Sequence, residues 1–211
     1  AHAFTTISIG GLSTHDQSFG YFNNPLIEII AIFFMIVAGM NFTLHFSAVR
    51  NMSFSMYWKS LENRCFLFVL FFGLVITFLS LYSLDQETHF LDKFRTVAFN
   101  VISIATTTGY ATYDYGQWPP IAFSIMLLLS CFSTCSGSTG GGVKMIRVII
   151  MFKQAGRELS RTMHPHAIIP LSIGETTVAN KVVLAVLAFM FFYLVTLLVT
   201  LFLLMATGLS A

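Results

Sequence analysis

Residues 121–152 would form one apolar span but for a run of small, mostly polar residues in their middle: Ser133-Thr134-Cys135-Ser136-Gly137-Ser138-Thr139-Gly140-Gly141-Gly142. Apolar residues flank it on both sides, at 121–132 and at 143–152. Four glycines within six positions, each costing about 1 kcal/mol against alanine in a helix, interrupt the helix here. Inside hydrocarbon, non-helical backbone is tolerated only where protein or a water-filled cavity covers it. A chain with this pattern must fold as a bundle of helices with a cavity beside the break.

Composition agrees that the surroundings are a bilayer. The chain of 211 residues is 56% hydrophobic and 9% charged, against roughly a quarter charged in a soluble domain. This is the composition of an all-α integral membrane protein. A net charge of +2 is too small to argue for a nucleic-acid partner. Arg50, Lys59 and Arg64 cluster in one interhelical segment, and Lys144, Arg147, Lys153, Arg157, Arg161 and Lys181 in or beside another. Both segments are expected to face the cytoplasm, since basic loops stay on that side. Asp16, Asp85, Glu87, Asp92 and Asp114, with only Lys93 and Arg95 among them, mark the outward-facing segments. Cys65, Cys131 and Cys135 lie in apolar surroundings and read as small buried hydrophobes.

Residues 25–49, opening on Asn24-Pro25, are long enough for one span, for which about 20 helical residues suffice. A second span covers 64–84. Residues 89–105 are too short and too mixed to cross, and read as a re-entrant helix leading into Thr106. Trp118-Pro119-Pro120 opens the interrupted third span, with proline in the first turn and tryptophan placed at the interface. A fourth span covers 181–207. With no start methionine or leader, the chain reads as an internal piece of something longer.

Between the re-entrant helix and the third span lies Thr106-Thr107-Thr108-Gly109-Tyr110-Ala111-Thr112, and a looser copy, Ile7-Ser8-Ile9-Gly10-Gly11-Leu12-Ser13, opens the chain. Ser8-Ile9-Gly10-Gly11-Leu12-Ser13 aligns with Thr107-Thr108-Gly109-Tyr110-Ala111-Thr112, hydroxyl on hydroxyl and glycine on glycine. A short hydroxyl-rich run with glycine between spans suits an ion-selectivity filter, in which backbone carbonyls replace the water around a cation. Glycine supplies the positive φ that turns successive carbonyls to one axis. Span, re-entrant helix, filter and span are complete once, and repetition brings ligands to a pore from several sides.

AFTTISIGGLSTHD at 3–16, ATTTGYAT at 105–112 and CSGSTGGGVKMIR at 135–147 resemble the Trk/Ktr/HKT superfamily of potassium transporters, most closely its bacterial Trk members. The last motif is the most specific, and the resemblance covers the whole chain. It implies a parent with four repeated units of outer helix, pore helix, filter and inner helix around a pseudo-fourfold, potassium-channel-like pore. Residues 1–60 would be the filter and inner helix of the second repeat, 61–153 the complete third repeat, and 154–211 a cytoplasmic loop and the outer helix of the fourth.

The resemblance further places filter glycines at Gly10 and Gly109, with potassium held by Ser8, Ile9, Gly10, Thr106, Thr107, Thr108 and Gly109. Ser136, Gly137, Ser138, Thr139, Gly140, Gly141 and Gly142 would be an intramembrane gate loop, followed by Lys144 and Arg147 as cytoplasmic anchors or as contacts to that loop. Ile9 and Gly11, where the second copy has Thr108 and Tyr110, would make coordination weaker and less symmetric. Beyond the chain, the resemblance implies a bacterial cytoplasmic membrane with its lipid, a homodimer of the parent and a TrkA-like nucleotide-binding regulator. Potassium would be cargo, with no cofactor in this chain.

Other chemistries fit less well. Potassium over sodium preference is open, so a sodium-permeable relative stands as an alternative. A secondary transporter with a broken helix would bind solute at the unwound segment, but need not repeat a hydroxyl-glycine loop. A phosphate-binding loop requires Gly-Lys-[Ser/Thr], whereas Val143 separates Gly142 from Lys144 and Met145 follows. An intramembrane serine hydrolase would need a basic partner beside its serine. For His45, the one histidine well inside a span, and Asn41 a turn earlier, an interfacial polar or pore-lining role fits instead. Glu28 either lines the outer vestibule or reaches the interface. His164-Pro165-His166 has metal-like spacing but supplies only two ligands.

Overall fold

The computed structural model describes every residue except 83–88, 165, 166, 168, 175 and 209–211. Asp85, Glu87 and His166 therefore lie outside the described residues. The chain divides into two compact units, Ala1–Ile146 and Arg147–Ala211.

In the first unit the order is α1 (His2–Ile7), α2 (Pro25–Gly39), α3 (Phe42–Arg50), α4 (Ser55–Lys59), α5 (Leu61–Tyr82), α6 (Phe90–Ala105) and α7 (Pro120–Phe132), and α8 (Met145–Met163) begins at its end. Helix α6 is the centre. Its 16 residues reach only about 24 Å at 1.5 Å per residue, short of a hydrocarbon core of about 30 Å, so it enters without crossing. It packs against α2, α5 and α7, and is apolar on two sides for that reason. Val97, Val101 and Ala105 meet Phe66 and Leu70 of α5 and Ala122, Met126 and Leu129 of α7. Ala98, Phe99 and Ile102 meet Ala31 and Met35 of α2 with Phe19 and Tyr110. Gly73 lets α5 approach α7 closely, since a Cβ there would overlap a Leu129 methyl group.

Helices α5 and α9 (Asn180–Ala206) are each long and apolar enough to cross a membrane, matching the second and fourth expected spans. The first is not straight. Helices α2 and α3 meet at 95° across Met40 and Asn41. No proline causes this bend. Asn41 starts a new helix by accepting from Thr43 N–H at 2.9 Å, and the backbone groups released at the break bond to a distant loop, described below. Pro120 sits at the start of α7 as expected. Trp118, just before α7, is buried in the cluster of α5, α6 and α7.

In the second unit α8 continues as helix to Met163, through much of what reads in sequence as a basic loop. A two-residue hairpin pairs Ser172–Ile173 with Thr176–Thr177, and α9 follows. Lys153 Nζ donates to the Ser172 carbonyl at 2.6 Å, and Arg157 Nη1 to Asn180 Oδ1 at 3.1 Å. The Arg147 guanidinium lies 3.9 Å from the centre of the Phe189 ring.

Candidate functional site

Helices α1 and α6 end alike. At α1, the N–H groups of Ser8, Ile9 and Gly10 donate to the carbonyls of Phe4, Thr6 and Thr5; at α6, those of Thr106, Thr107 and Thr108 donate to Ile102, Ile104 and Ser103. Positive φ then falls at Ile9 (55°) and Gly11 (59°) in one segment, and at Thr107 (64°) and Gly109 (87°) in the other. The backbone therefore pairs Ser8 with Thr106, Ile9 with Thr107, Gly10 with Thr108 and Gly11 with Gly109. This corrects the sequence alignment by one position: Gly11, not Gly10, stands where Gly109 stands. Matching hydroxyls draws the sequences into the wrong register, whereas helix ends and left-handed residues define the geometric one. β-branched side chains at Ile9 and Thr107 in that region are outliers, each storing about 1–3 kcal/mol of strain.

The second segment is braced from behind. Ser103 Oγ donates to the Tyr110 carbonyl at 2.7 Å, Asn100 Nδ2 to Thr112 Oγ1 at 2.9 Å, and Thr112 N–H to Asn100 Oδ1 at 3.2 Å. Thr106 Oγ1 donates to the Ile102 carbonyl at 2.7 Å and lies 2.8 Å from Thr108 Oγ1. Both hydroxyls are buried, so the backbone, rather than these side chains, faces outward from α6. Tyr110, wholly buried, joins the segments: its hydroxyl bonds Thr5 Oγ1 and donates to the His2 carbonyl at 3.2 Å. Gly11 is closer still, because a Cβ there would overlap the Thr108 carbonyl oxygen. A Cβ at Gly109 would meet nothing within 4 Å.

The glycine-rich loop between α7 and α8 lies against both segments. Gly141 N–H donates to Thr107 Oγ1 at 2.8 Å, and Thr139 Oγ1 to the Ile7 carbonyl at 3.1 Å. Thr134 Oγ1 donates back to the Gly141 carbonyl at 3.1 Å. Lys144 Nζ donates to the Gly140 carbonyl and lies 3.3 Å from Ser138 Oγ. Lys144 and Arg147, read together in the sequence, thus diverge: one binds the loop, the other covers Phe189. The loop's first half bonds the α2–α3 break, where Cys135 N–H donates to the Gly39 carbonyl at 3.0 Å and Phe42 N–H to the Gly137 carbonyl at 3.1 Å.

Several residues singled out in sequence have other employment. His45 lies 2.8 Å from the Tyr57 hydroxyl and 2.9 Å from the Val37 carbonyl, serving the end of α2 at the bend. Asn41 caps α3 and its Oδ1 lies where a Gly137 Cβ would come within 2.8 Å. Glu28 neither lines a vestibule nor reaches an interface: it is buried and pairs with Arg95 Nε of α6 at 3.0 Å. Cys65, Cys131 and Cys135 are free, and among the described residues no cluster of three His, Cys, Asp or Glu could hold a metal.

Glu62 is a residue that sequence reading missed. Buried in the first turn of α5, it accepts from Ser136 N–H at 2.5 Å, Ser136 Oγ at 2.9 Å and Ile146 N–H at 3.2 Å. A carboxylate at the start of an apolar span was the available signal.

A family model described as a cation transport protein, TrkH, matches residues 1–209. The chain is 39% identical over 208 residues to the Trk system potassium uptake protein TrkH of Escherichia coli K12, covering 98% of this chain and 43% of that protein. It is 34% identical over 212 residues to TrkG of the same organism, covering 99% of this chain and 42% of the relative. The crystal structure of the potassium transporter TrkH from Vibrio parahaemolyticus superposes with a TM-score of 0.92 at 37% identity, over 99% of this chain and 45% of that one. The chain thus spans less than half the length of the relatives it matches. With a family model over residues 1–209, a relative 39% identical over 98% of the chain and a solved structure superposing over 99% of it, the chain belongs to the TrkH family of cation transport proteins.

Proposed function

We propose that this chain forms part of a potassium uptake pathway across a bacterial cytoplasmic membrane, with the segments at Ser8-Ile9-Gly10-Gly11 and Thr106-Thr107-Thr108-Gly109 as two of its filter elements and the loop at 136–142 as its gate. The single observation that carries this is the bond from Gly141 N–H to Thr107 Oγ1, which sets a glycine-rich loop against the turn that would hold the ion. Potassium is the cargo named for the relatives. Carbonyl dipoles turned by left-handed residues would offset its dehydration, and the Lys144 ammonium on the Gly140 carbonyl would both brace the loop and repel a cation below the filter. The activity is transport, with no cofactor required of this chain. A homodimer of the parent and a nucleotide-binding cytoplasmic regulator of the TrkA type belong to the same proposal.

The test is rubidium and sodium uptake by the full-length parent in cells lacking their own potassium uptake. Gly109→Ser projects a side chain into open space from a backbone at φ 87°, and should lower the preference for potassium over sodium. Deletion of residues 140–142 should raise flux per inserted molecule. Unchanged preference in the first variant removes the filter assignment, and unchanged flux in the second removes the gate assignment.

A further inference from the structure

We propose that Glu62 is the positioning residue that clasps the gate loop shut at its neck. The proposal rests on the gate reading above and adds to it the side chain that holds the gate. Ser136 begins the loop and Ile146 follows it in the first turn of α8, and a single carboxylate from α5 accepts from both backbones: Oε1 from Ser136 N–H at 2.5 Å and from Ile146 N–H at 3.2 Å, with Oε2 taking the Ser136 hydroxyl at 2.9 Å.

The chemistry suits an anion. First-turn N–H groups of a helix have no partner within it, and the positive end of the helix dipole favours negative charge there. Ile146 N–H is such a group on a 19-residue helix. Hydrogen bonds to an ionised acceptor are roughly twice as strong as neutral ones. Glu62 is 8% exposed, so these bonds are shielded from competing water.

The loop's tip is tied to its own neck by Lys144 Nζ on the Gly140 carbonyl, and to the two turns by neutral contacts. Gly141 N–H meets the Thr107 hydroxyl at 2.8 Å and the Thr139 hydroxyl meets the Ile7 carbonyl at 3.1 Å, both neutral contacts. With the neck clamped and only neutral bonds to the turns, the loop can release the filter while its ends stay fixed. Weakening the clamp lets the whole loop drift and the closed state lose its definition.

Full-length protein in liposomes, measured by rubidium flux per inserted molecule, separates this from a purely structural role. Glu62→Gln keeps the size and removes the charge; it should raise flux about tenfold, the scale of losing one hydrogen bond to a charged group. The preference for rubidium over sodium should stay unchanged. Glu62→Asp, which keeps the charge on a shorter arm, should fall between. Ser136→Ala removes one donor and should give a smaller rise, about threefold, which keeps the proposal testable should Glu62→Gln insert poorly. Thiol labelling of Ser138→Cys, measured above the background of the native cysteines, should quicken in the presence of Glu62→Gln.

A merely structural glutamate would lower the inserted amount and leave flux per molecule alone. If deletion of residues 140–142 raises flux while Glu62→Gln and Ser136→Ala leave both flux and labelling at the parent level, the clasp is overturned and the gate survives. If the deletion itself changes nothing, the gate reading fails and the clasp fails with it.

Discussion

At Gly11 two requirements meet that glycine alone satisfies. Its φ is 59°, which costs an ordinary residue about 1–2 kcal/mol, and its Cα lies so close to Thr108 that a Cβ would overlap the carbonyl oxygen. Gly10 has neither constraint: a Cβ there would meet only Ser8 Oγ, at 3.3 Å. Gly11→Ala should therefore cut rubidium uptake by the full-length parent about tenfold, taking about 1.4 kcal/mol per factor of ten, while Gly10→Ala should stay within about twofold. The reverse order in the same assay would restore the register that hydroxyl matching suggests. Thr107, left-handed and β-branched, is the costlier choice at the other segment, and its hydroxyl is what the Gly141 N–H uses. A strained residue kept where it bonds the loop is consistent with strain placed at a working position.

Among the elements, α6 is held by charge as well as by packing. Arg95 of α6 reaches Glu28 of α2 at 3.0 Å and Asp92 at 3.3 Å. Glu28 is buried and Arg95 partly exposed, so removing Arg95 leaves the buried Glu28 charge uncompensated, at a cost below the roughly 3–5 kcal/mol of a fully buried pair, whereas removing both is milder. Arg95→Met should thus lower the thermal midpoint of the purified full-length protein more than Glu28→Gln combined with Arg95→Met does. Equal losses would mean that the apolar contact of Ala98, Phe99 and Ile102 alone carries the α2–α6 junction. The bend between α2 and α3 belongs to this scale too. Its sequence, Gly39-Met40-Asn41, holds no proline, and hydropathy read residues 25–49 as one span because the cause is remote: Cys135 N–H and the Gly137 carbonyl take the backbone groups that the bend exposes.

For the whole molecule, what hydropathy and local chemistry control was legible in advance. The spans of α5 and α9, the re-entrant length of α6, the start of α7 at Pro120 and the break before α8 all follow from residues within the segment concerned. What depends on partners far along the chain was not. Glu62 gains meaning only beside Ser136 and Ile146, Glu28 only beside Arg95, and Trp118 only when α5, α6 and α7 close over it.

The contact between Gly141 and Thr107 carries one consequence for how such a pathway would answer its cargo. If loop and turn share a bond, the state of one enters the free energy of the other, and linkage is reciprocal. Whatever factor displacement of the loop applies to ion affinity at the turn, occupancy by the ion must apply to the displacement of the loop. Cargo concentration would then act as an effector of conductance in its own right, with no second binding site required.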